Sequence, residues 1–280
     1  MIKKSRKQRR LAALEKELLA AAKKEEKLKA AAVDQNVPGW KQKLTDKIPE
    51  KVCLSLEAAF GKAFGIVFEK GTAVIEKTYN RQKIEEDYQI RDFSVQIKGG
   101  RKQIKSFGKS VRSANLCNLI FTTAEGIGLG ALGIGMPDIV MFTGVLLKGI
   151  YETALRYGYD YETPSERMLI LKMMEASLAK GEEWILLNAE VDSLLEAEAL
   201  PETAEAAIGE QIKKTARAFA MDMLLLKFIQ GAPVIGIFGG VGNPVYYSRV
   251  MEYVKVKYQK RYLLGQMRAQ EALTADICVR

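Results

Sequence analysis

The sequence predicts an all-α fold, a multi-helix bundle that contains two glycine-rich apolar helical hairpin segments. Apolar residues recur every three or four positions through most of the chain, which is the period of a helix with one buried face. Proline, glycine and asparagine mark the ends of these periodic segments. Short alternating runs bounded by turn pairs, which would predict strands, are nearly absent. The helices must therefore bury their apolar faces against one another.

The N-terminal segment is strongly basic. Residues 1–30 contain eleven Lys and Arg and four Glu, a local charge of +7 out of +9 for the whole chain. We predict that residues 1–36 form a basic helical arm, which Pro38-Gly39 ends. Three interpretations stay open: an arm surrounded by solvent, an arm on an anionic membrane surface or an acidic partner, and an arm on RNA. No aromatic residues interleave with the charge, which argues against nucleic acid.

From Trp40 onward, helical patterns alternate with short breaks. We predict a helical domain over residues 37–265 and a C-terminal tail over residues 266–280, with Gly265 as the stop signal of the last helix. One of these helices carries three phenylalanines at a spacing of four. Three rings on one helix face are more typical of a core than of a ligand site: Phe60, Phe64 and Phe68.

The clearest helix start is the segment Thr163-Pro164-Ser165-Glu166. Thr163 can cap the helix, and Pro164 suits the first helical position. Glu166 can reach back to the cap and complete a capping box. We therefore predict a helix that begins at this segment.

Composition excludes several kinds of catalytic site. The chain has no histidine, so it has no Ser-His or Cys-His pair, no HExxH zinc site and no histidine-ligated haem. Its three cysteines, Cys53, Cys117 and Cys278, are too far apart in sequence for a zinc motif and odd in number, which suits a reducing compartment. No apolar run follows the basic N-terminus as in a cleavable signal. We predict no metal and no cofactor, and catalysis is not expected.

Two glycine-rich apolar stretches cover residues 126–150 and 228–248. A phosphate-binding loop would need a strand before the glycines, and none is predicted. Close helix packing and insertion at a membrane surface both stay open. The second stretch has 21 uncharged residues, about the length that crosses a bilayer, but its two prolines and five glycines argue against crossing, as Pro137 and Asp138 do for the first. The glycines at helical spacing are Gly126, Gly130, Gly133, Gly236 and Gly240.

Several motifs resemble those of the bacterial EcsC family, from about Trp40 to Leu264. The segments that carry the resemblance are Pro137-Asp138-Ile139, Tyr157-Gly158-Tyr159-Asp160, Pro164-Ser165-Glu166-Arg167, Pro233-Val234-Ile235-Gly236 and Lys260-Arg261-Tyr262-Leu263. The family has no established biochemical activity. Its namesake is encoded beside an ABC-type transporter, so the resemblance implies an accessory role near a transporter or the cell envelope.

The motif residues are the candidate site: Tyr157, Gly158, Tyr159, Asp160, Glu166 and Arg167. Gly158 is expected in a turn conformation that other residues avoid. Arg167 is expected to form an ion pair with Asp160. Asp138 is expected to cap a helix, although Asp138 and Asp160 are the weak catalytic candidates if their carboxylates converge.

These observations predict a non-catalytic accessory or interaction protein that associates with a membrane. The partner would be the membrane surface or a membrane protein, contacted through the basic arm and the apolar hairpins. The expected location is the cytoplasmic side of the cell membrane, at its inner face. Two alternatives stay open: a hydrolase or transferase that uses carboxylates, and a helical protein that binds a lipid or another apolar ligand.

Overall fold

In the computed structural model, residues 6–33, 50–68, 72–109, 137–229 and 242–278 are described, and every regular element within these ranges is helical. The predicted all-α class is confirmed. The helices are α1 (Arg6–Val33), α2 (Glu50–Ile66), α3 (Thr72–Glu76), α4 (Arg81–Lys98), α5 (101–109), α6 (Pro137–Arg156), α7 (Pro164–Leu178), α8 (Gly181–Glu196), α9 (Glu205–Ile229) and α10 (Gly242–Cys278).

Helix α7 lies at the centre of the bundle, between α8, α9 and α10. It begins where the sequence predicts, because the hydroxyl of Thr163 accepts a hydrogen bond from the backbone N–H of Glu166 at 3.2 Å. Most of its side chains are buried, so it lacks the polar face of a surface helix. Helix α6 packs on α2, α3, α4 and α10 and closes the other side of the core.

The phenylalanines of α2 and the residues just after it pack into the core, as predicted. Phe60 and Phe64 are fully buried, and Phe68 is nearly so. Their partner on α9 is Phe219, whose ring centroid lies 5.4 Å from that of Phe60 and 5.6 Å from that of Phe64. Offset and edge contacts of this kind stabilise the fold beyond the effect of burying the rings.

Helix α1 is packed against α8 and α10 rather than surrounded by solvent. Leu14 and Ala21 are fully buried on its inner face. Near its C-terminal end, Glu25 accepts a hydrogen bond from Nζ of Lys257, a fully buried lysine on α10, at 2.6 Å. Lys257 also donates to Asp192 on α8 at 2.6 Å. The division at residue 36 into arm and domain stays a prediction.

The predicted stop at Gly265 is wrong, because α10 continues to Cys278. A glycine inside a helix costs about 1 kcal/mol against alanine. Contacts beyond it hold the helix: Gln266 donates to Asp92 on α4 at 2.9 Å, and Arg268 donates to the backbone carbonyl of Ala197 at 2.6 Å. The described part of the predicted C-terminal tail, residues 266–278, is therefore helical.

The glycine-rich stretches lie largely outside the described residues. This holds for every glycine named for close packing, Gly126, Gly130, Gly133, Gly236 and Gly240, so the two hairpins stay predictions. The described part of the first stretch belongs to α6, where Leu146, Leu147 and Ile150 are fully buried. Among the helices in the described ranges, none has both the length and the apolar character that crossing a membrane requires.

Candidate functional site

Gly158 lies where the chain leaves α6 and turns against α4. Its φ is +81°, in the left-handed region that glycine adopts without strain. A Cβ at this position would overlap the ring of Tyr88, so a larger residue would have to displace that ring. The turn conformation expected for Gly158 is confirmed, and its physical role is to let α4 approach the end of α6.

Glu166 connects two of the motif segments through a buried ion pair. Its carboxylate accepts hydrogen bonds from Nη1 of Arg261 at 2.7 and 2.9 Å and from the hydroxyl of Tyr258 at 2.7 Å. The capping-box role expected for Glu166 is therefore wrong, because its side chain points to α10. The guanidinium of Arg261 also lies 3.8 Å from the ring centroid of Tyr159, a cation–π contact.

Three tyrosines lie around this pair, and one of them, Tyr258, donates its hydroxyl to Glu166. Burial raises the pKa of Tyr159 and of Tyr258 well above the ordinary tyrosine value. Burial and then the nearby carboxylate of Asp92 raise the pKa of Tyr88 to about 12. None of these side chains has a pKa close to neutrality, which is where a general base works best. The contacts of Glu166 with Arg261 and Tyr258 connect α7 to α10.

Asp160 forms an ion pair with Arg81. The prediction that it pairs with Arg167 is therefore wrong. Nη2 of Arg81 lies 3.3 Å from Oδ1 of Asp160, and the same oxygen accepts from the backbone N–H of Glu162 at 3.0 Å. Arg81 also contacts three more carboxylates at 2.8–2.9 Å: Glu76, Glu85 and Glu162. The side chain of Asp138 lies outside the described residues, so its convergence with Asp160 stays a prediction.

Helix α4 presents apolar side chains on two opposite faces. Ile84, Asp92 and Val95 are buried against the bundle. Ile90, Phe93 and Ile97 lie on the other face, roughly half a turn away at 100° per residue. Their exposed fractions are 69%, 62% and 46%. We call this row of three exposed side chains the α4 ridge.

Cations gather at the C-terminal end of the α4 ridge. Gly99, with a φ of +56°, ends α4 by donating its backbone N–H to the carbonyl of Val95 at 2.8 Å. The chain then turns back, and Phe107 on α5 contacts Tyr88 on α4. Arg10 on α1 packs against Gly99. The basic cluster comprises five exposed cations near this turn, on α1, the end of α4 and α5: Arg9, Lys98, Arg101, Lys102 and Lys105.

The α4 ridge is the feature that sequence reasoning missed. A helical wheel of residues 81–98 contains both apolar rows, but nothing local says which row faces the core. Within residues 90–109 there are six Lys and Arg, and the only acidic residue is Asp92. Asp92 is buried and accepts from the hydroxyl of Tyr262 at 2.7 Å. The exposed charge over residues 90–109 is therefore entirely positive, whereas the exposed carboxylate of Glu86 lies one turn before Ile90 on the same face.

The comparisons with known proteins agree with the motifs. The model of the EcsC protein family matches residues 12–263 of the 280. The match begins inside α1, and so earlier than Trp40, where the resemblance of the motifs begins. Neither the curated proteins nor the solved structures contain a match to the chain. Because the family model covers most of the sequence, the chain belongs to the EcsC protein family.

Proposed function

We propose that this protein attaches peripherally to an anionic membrane surface through the α4 ridge and the basic cluster. It works there, without catalysis, as an accessory or interaction protein of an ABC transporter or another envelope or secretion system. The observation that carries the proposal is the row Ile90, Phe93 and Ile97, exposed on one helix face beside exposed cations. The transporter link is what the family resemblance implies.

Contact with a membrane is more favourable for the α4 ridge and the basic cluster than continued exposure to water. Fully burying a large apolar side chain contributes about 1.5 to 3 kcal/mol, and the three side chains of the α4 ridge are about half exposed or more. Each cation near an anionic leaflet contributes on the order of 1 kcal/mol. The apolar and the electrostatic contributions add to each other at an anionic membrane surface. The inner face of the cell membrane carries anionic lipids, which makes it the expected location.

The packing of α1 determines where its N-terminal cations lie relative to the α4 ridge. Arg10 donates to the backbone carbonyl of Gln96 on α4 at 3.2 Å and to the side chain of Gln266 on α10 at 2.7 Å. Arg9, which precedes Arg10 on α1, is therefore held near the end of the α4 ridge. Deleting residues 1–36 would remove Leu14 and Ala21 from the core, so point substitutions are the sharper test.

Co-sedimentation with lipid vesicles tests the proposal. The full chain is mixed with vesicles of phosphatidylcholine alone or of phosphatidylcholine with phosphatidylglycerol, at low and at high salt. We expect binding to the anionic vesicles, weaker at high salt because salt screens the cations. The double variant Phe93→Ser/Ile97→Ser should bind at least about tenfold more weakly, which corresponds to 1.4 kcal/mol.

The matched control is Ile185→Ser/Leu186→Ser, which changes two exposed apolar side chains on α8. This variant should bind the anionic vesicles like the native chain. Complete recovery of the native chain in the supernatant at low salt would overturn the proposal. Equal loss of binding in both double variants would also contradict it.

A further inference from the structure

A cavity of about 510 Å³ lies where the C-terminal end of α1 meets the junction of α7 with α8 and the first turns of α10. Its volume is within the range of about 300 to 1,000 Å³ that is typical of small-molecule pockets. Most of its lining is apolar, with side chains from all three regions: Leu28, Ala31, Ala32, Ala179, Trp184, Val245 and Tyr253. None of these residues belongs to the α4 ridge or the basic cluster.

The cavity has a buried floor and an exposed rim. Trp184 and Tyr253 form the floor, at 3% and 1% exposed, and their rings meet edge to face with centroids 6.4 Å apart. Ala31 and Ser248 are exposed at the rim, and Val245 is 52% exposed. An occupant that reaches the floor would remove apolar surface from water, which favours an apolar ligand.

The hydroxyl groups at the floor already have partners within the protein. Ser177 donates to the backbone carbonyl of Met174 at 2.7 Å. Tyr253 donates to Oδ1 of Asn188 at 2.9 Å. Because these donors are satisfied, a ligand at the floor does not need to supply acceptors for them, and a polar ligand has no advantage there.

The charged residues of the cavity cancel one another. Lys180 and Arg249 line it, and each donates to a different oxygen of Asp222 at 2.7 Å. The exposed carboxylate of Glu252 lines it as well. Two cations and two carboxylates leave no net charge, so these residues favour neither an anionic nor a cationic ligand. Apolar contact is therefore the main source of affinity.

The cavity is elongated along α10. Its lining on this helix extends from Val245 to Tyr253, a span of about 12 Å at 1.5 Å per residue. The opposite wall includes the small side chains of Ala31, Ala32 and Ala179, which leave room beside α10. A linear chain that lies along the helix fits this shape better than a compact ring system does.

We propose that this cavity binds the alkyl chain of a single-chain amphiphile, either a fatty acid or a lysophospholipid. The chain would lie on the floor against Trp184 and Tyr253, and the polar head would stay in water at the rim. The inference does not depend on membrane attachment. Leu28 lies about 27 Å along α1 from Arg10, which contacts the end of the α4 ridge.

Quenching of Trp184 by a brominated fatty acid tests this inference. Trp40→Phe leaves Trp184 as the only tryptophan of the full chain. This variant is titrated with dodecanoic acid that carries bromine on its chain, below the critical micelle concentration. We expect saturable quenching, because Trp184 is buried and bromine reaches it through the cavity.

Competition identifies the part of the ligand that is recognised. Unbrominated dodecanoic acid and lauroyl lysophosphatidylcholine are added separately. Reversal of quenching by both means that the chain alone is recognised, whereas reversal by the acid alone assigns the site to a fatty acid. Octanoic acid should compete about tenfold less well or worse, because its shorter chain buries less apolar surface.

Substitutions then locate the site. Ala31→Phe should weaken binding about tenfold or more, since the added ring would fill the cavity from its rim. Ala30→Phe is the matched control, because Ala30 is also exposed on α1 but does not line the cavity. Phe93→Ser/Ile97→Ser should leave the quenching unchanged. Thermal unfolding checks that each variant is folded, which is expected because these side chains are exposed.

Four outcomes would overturn the inference. Quenching that does not saturate would mean that the amphiphile partitions without a site. Equal competition by octanoic acid would show that the chain is not bound along the cavity. Equal binding by Ala31→Phe and Ala30→Phe would place the site elsewhere, and loss of binding in Phe93→Ser/Ile97→Ser would assign the chain to the α4 ridge. Failure of vesicle binding would leave this inference standing, since different substitutions test the two sites.

Discussion

Arg261 on α10 and Glu166 on α7 form an ion pair between residues that are 95 positions apart in the sequence, with Nη1 of the arginine 2.7 Å from Oε2 of the glutamate. Each belongs to a segment that resembles the EcsC family, and the contact brings the two segments together. Both side chains are largely buried, so each needs the other to offset the loss of water. The pair joins α7 to α10, the longest of the described helices.

Replacement of Glu166 by alanine should destabilise the protein strongly. Arg261 and the hydroxyl of Tyr258 would lose their acceptor inside the bundle. We expect the free energy of unfolding to fall by about 3 to 5 kcal/mol, as for other buried pairs that lose one partner. Urea denaturation measures this. The control is Glu190→Ala, which removes an exposed carboxylate paired with Lys172 and should cost less than about 1 kcal/mol. Equal effects would contradict the buried role of Glu166.

Gly158→Ala should also destabilise the fold, by about 2 kcal/mol or more, because it combines a positive φ with overlap of the Tyr88 ring. Gly209→Ala is the matched control, since Gly209 lies inside α9 with open space around it. That substitution should raise stability by about 0.5 to 1 kcal/mol. Thermal unfolding of the two variants should move in opposite directions. A neutral Gly158→Ala would show that Tyr88 does not constrain the turn.

The contact between α1 and the bundle should weaken in acid. Burial alone would raise the pKa of Glu25, but the ammonium of Lys257 outweighs it and holds that pKa at about 2, below the ordinary 4.5. A carboxylate with a lowered pKa in the folded state stabilises it above the ordinary value and loses this effect as pH falls toward the folded value. The stabilisation should therefore be full above pH 4.5 and fade between pH 4.5 and 2.

Lys257→Met isolates this effect. Above pH 4.5 the variant should unfold about 3 kcal/mol more easily than the native chain, because Glu25 and Asp192 lose their shared cation. The difference between the two proteins should shrink as pH falls toward 2. Urea denaturation over this range measures it. A difference that stays constant with pH would show that Lys257 stabilises α1 through packing and not through charge.

Local patterns predicted much of the architecture. The Thr163 cap and Pro164 start α7 as expected, and the phenylalanine row of α2 is in the core. These features depend on residues that are close in sequence, so the spacing of residues is sufficient to predict them. The resemblance of the motif segments likewise identified the family that the comparison confirms.

Long-range partners could not be predicted in the same way. Glu166 has a local cap within reach, yet its carboxylate contacts Arg261, and Asp160 pairs with Arg81 across 79 positions. Gly265 is a stop signal only when the residues after it lack tertiary contacts, and Gln266 and Arg268 have such contacts. In each case the neighbours that decide the outcome are remote in sequence.

The exposure of the α4 ridge could not be predicted from local patterns either. Residues 81–98 have two apolar rows, and the bundle buries only the row that contains Ile84 and Val95. Which row stays outside depends on Tyr262 and Gln266 of α10, whose hydrogen bonds hold Asp92 inward. A sequence pattern without these partners is equally compatible with either orientation of α4.

Quenching of a tryptophan in place of Phe93 tests membrane attachment most directly. Phe93→Trp, in a chain whose native Trp40 and Trp184 are replaced by phenylalanine, is mixed with vesicles that contain phosphatidylglycerol with brominated acyl chains, which quench an indole only on close contact. Leu186→Trp, on the acidic helix α8, is the matched control because both positions are similarly exposed. Insertion of the α4 ridge predicts strong quenching at position 93 and none at position 186. No quenching at position 93, or equal quenching at both positions, would contradict the proposed attachment.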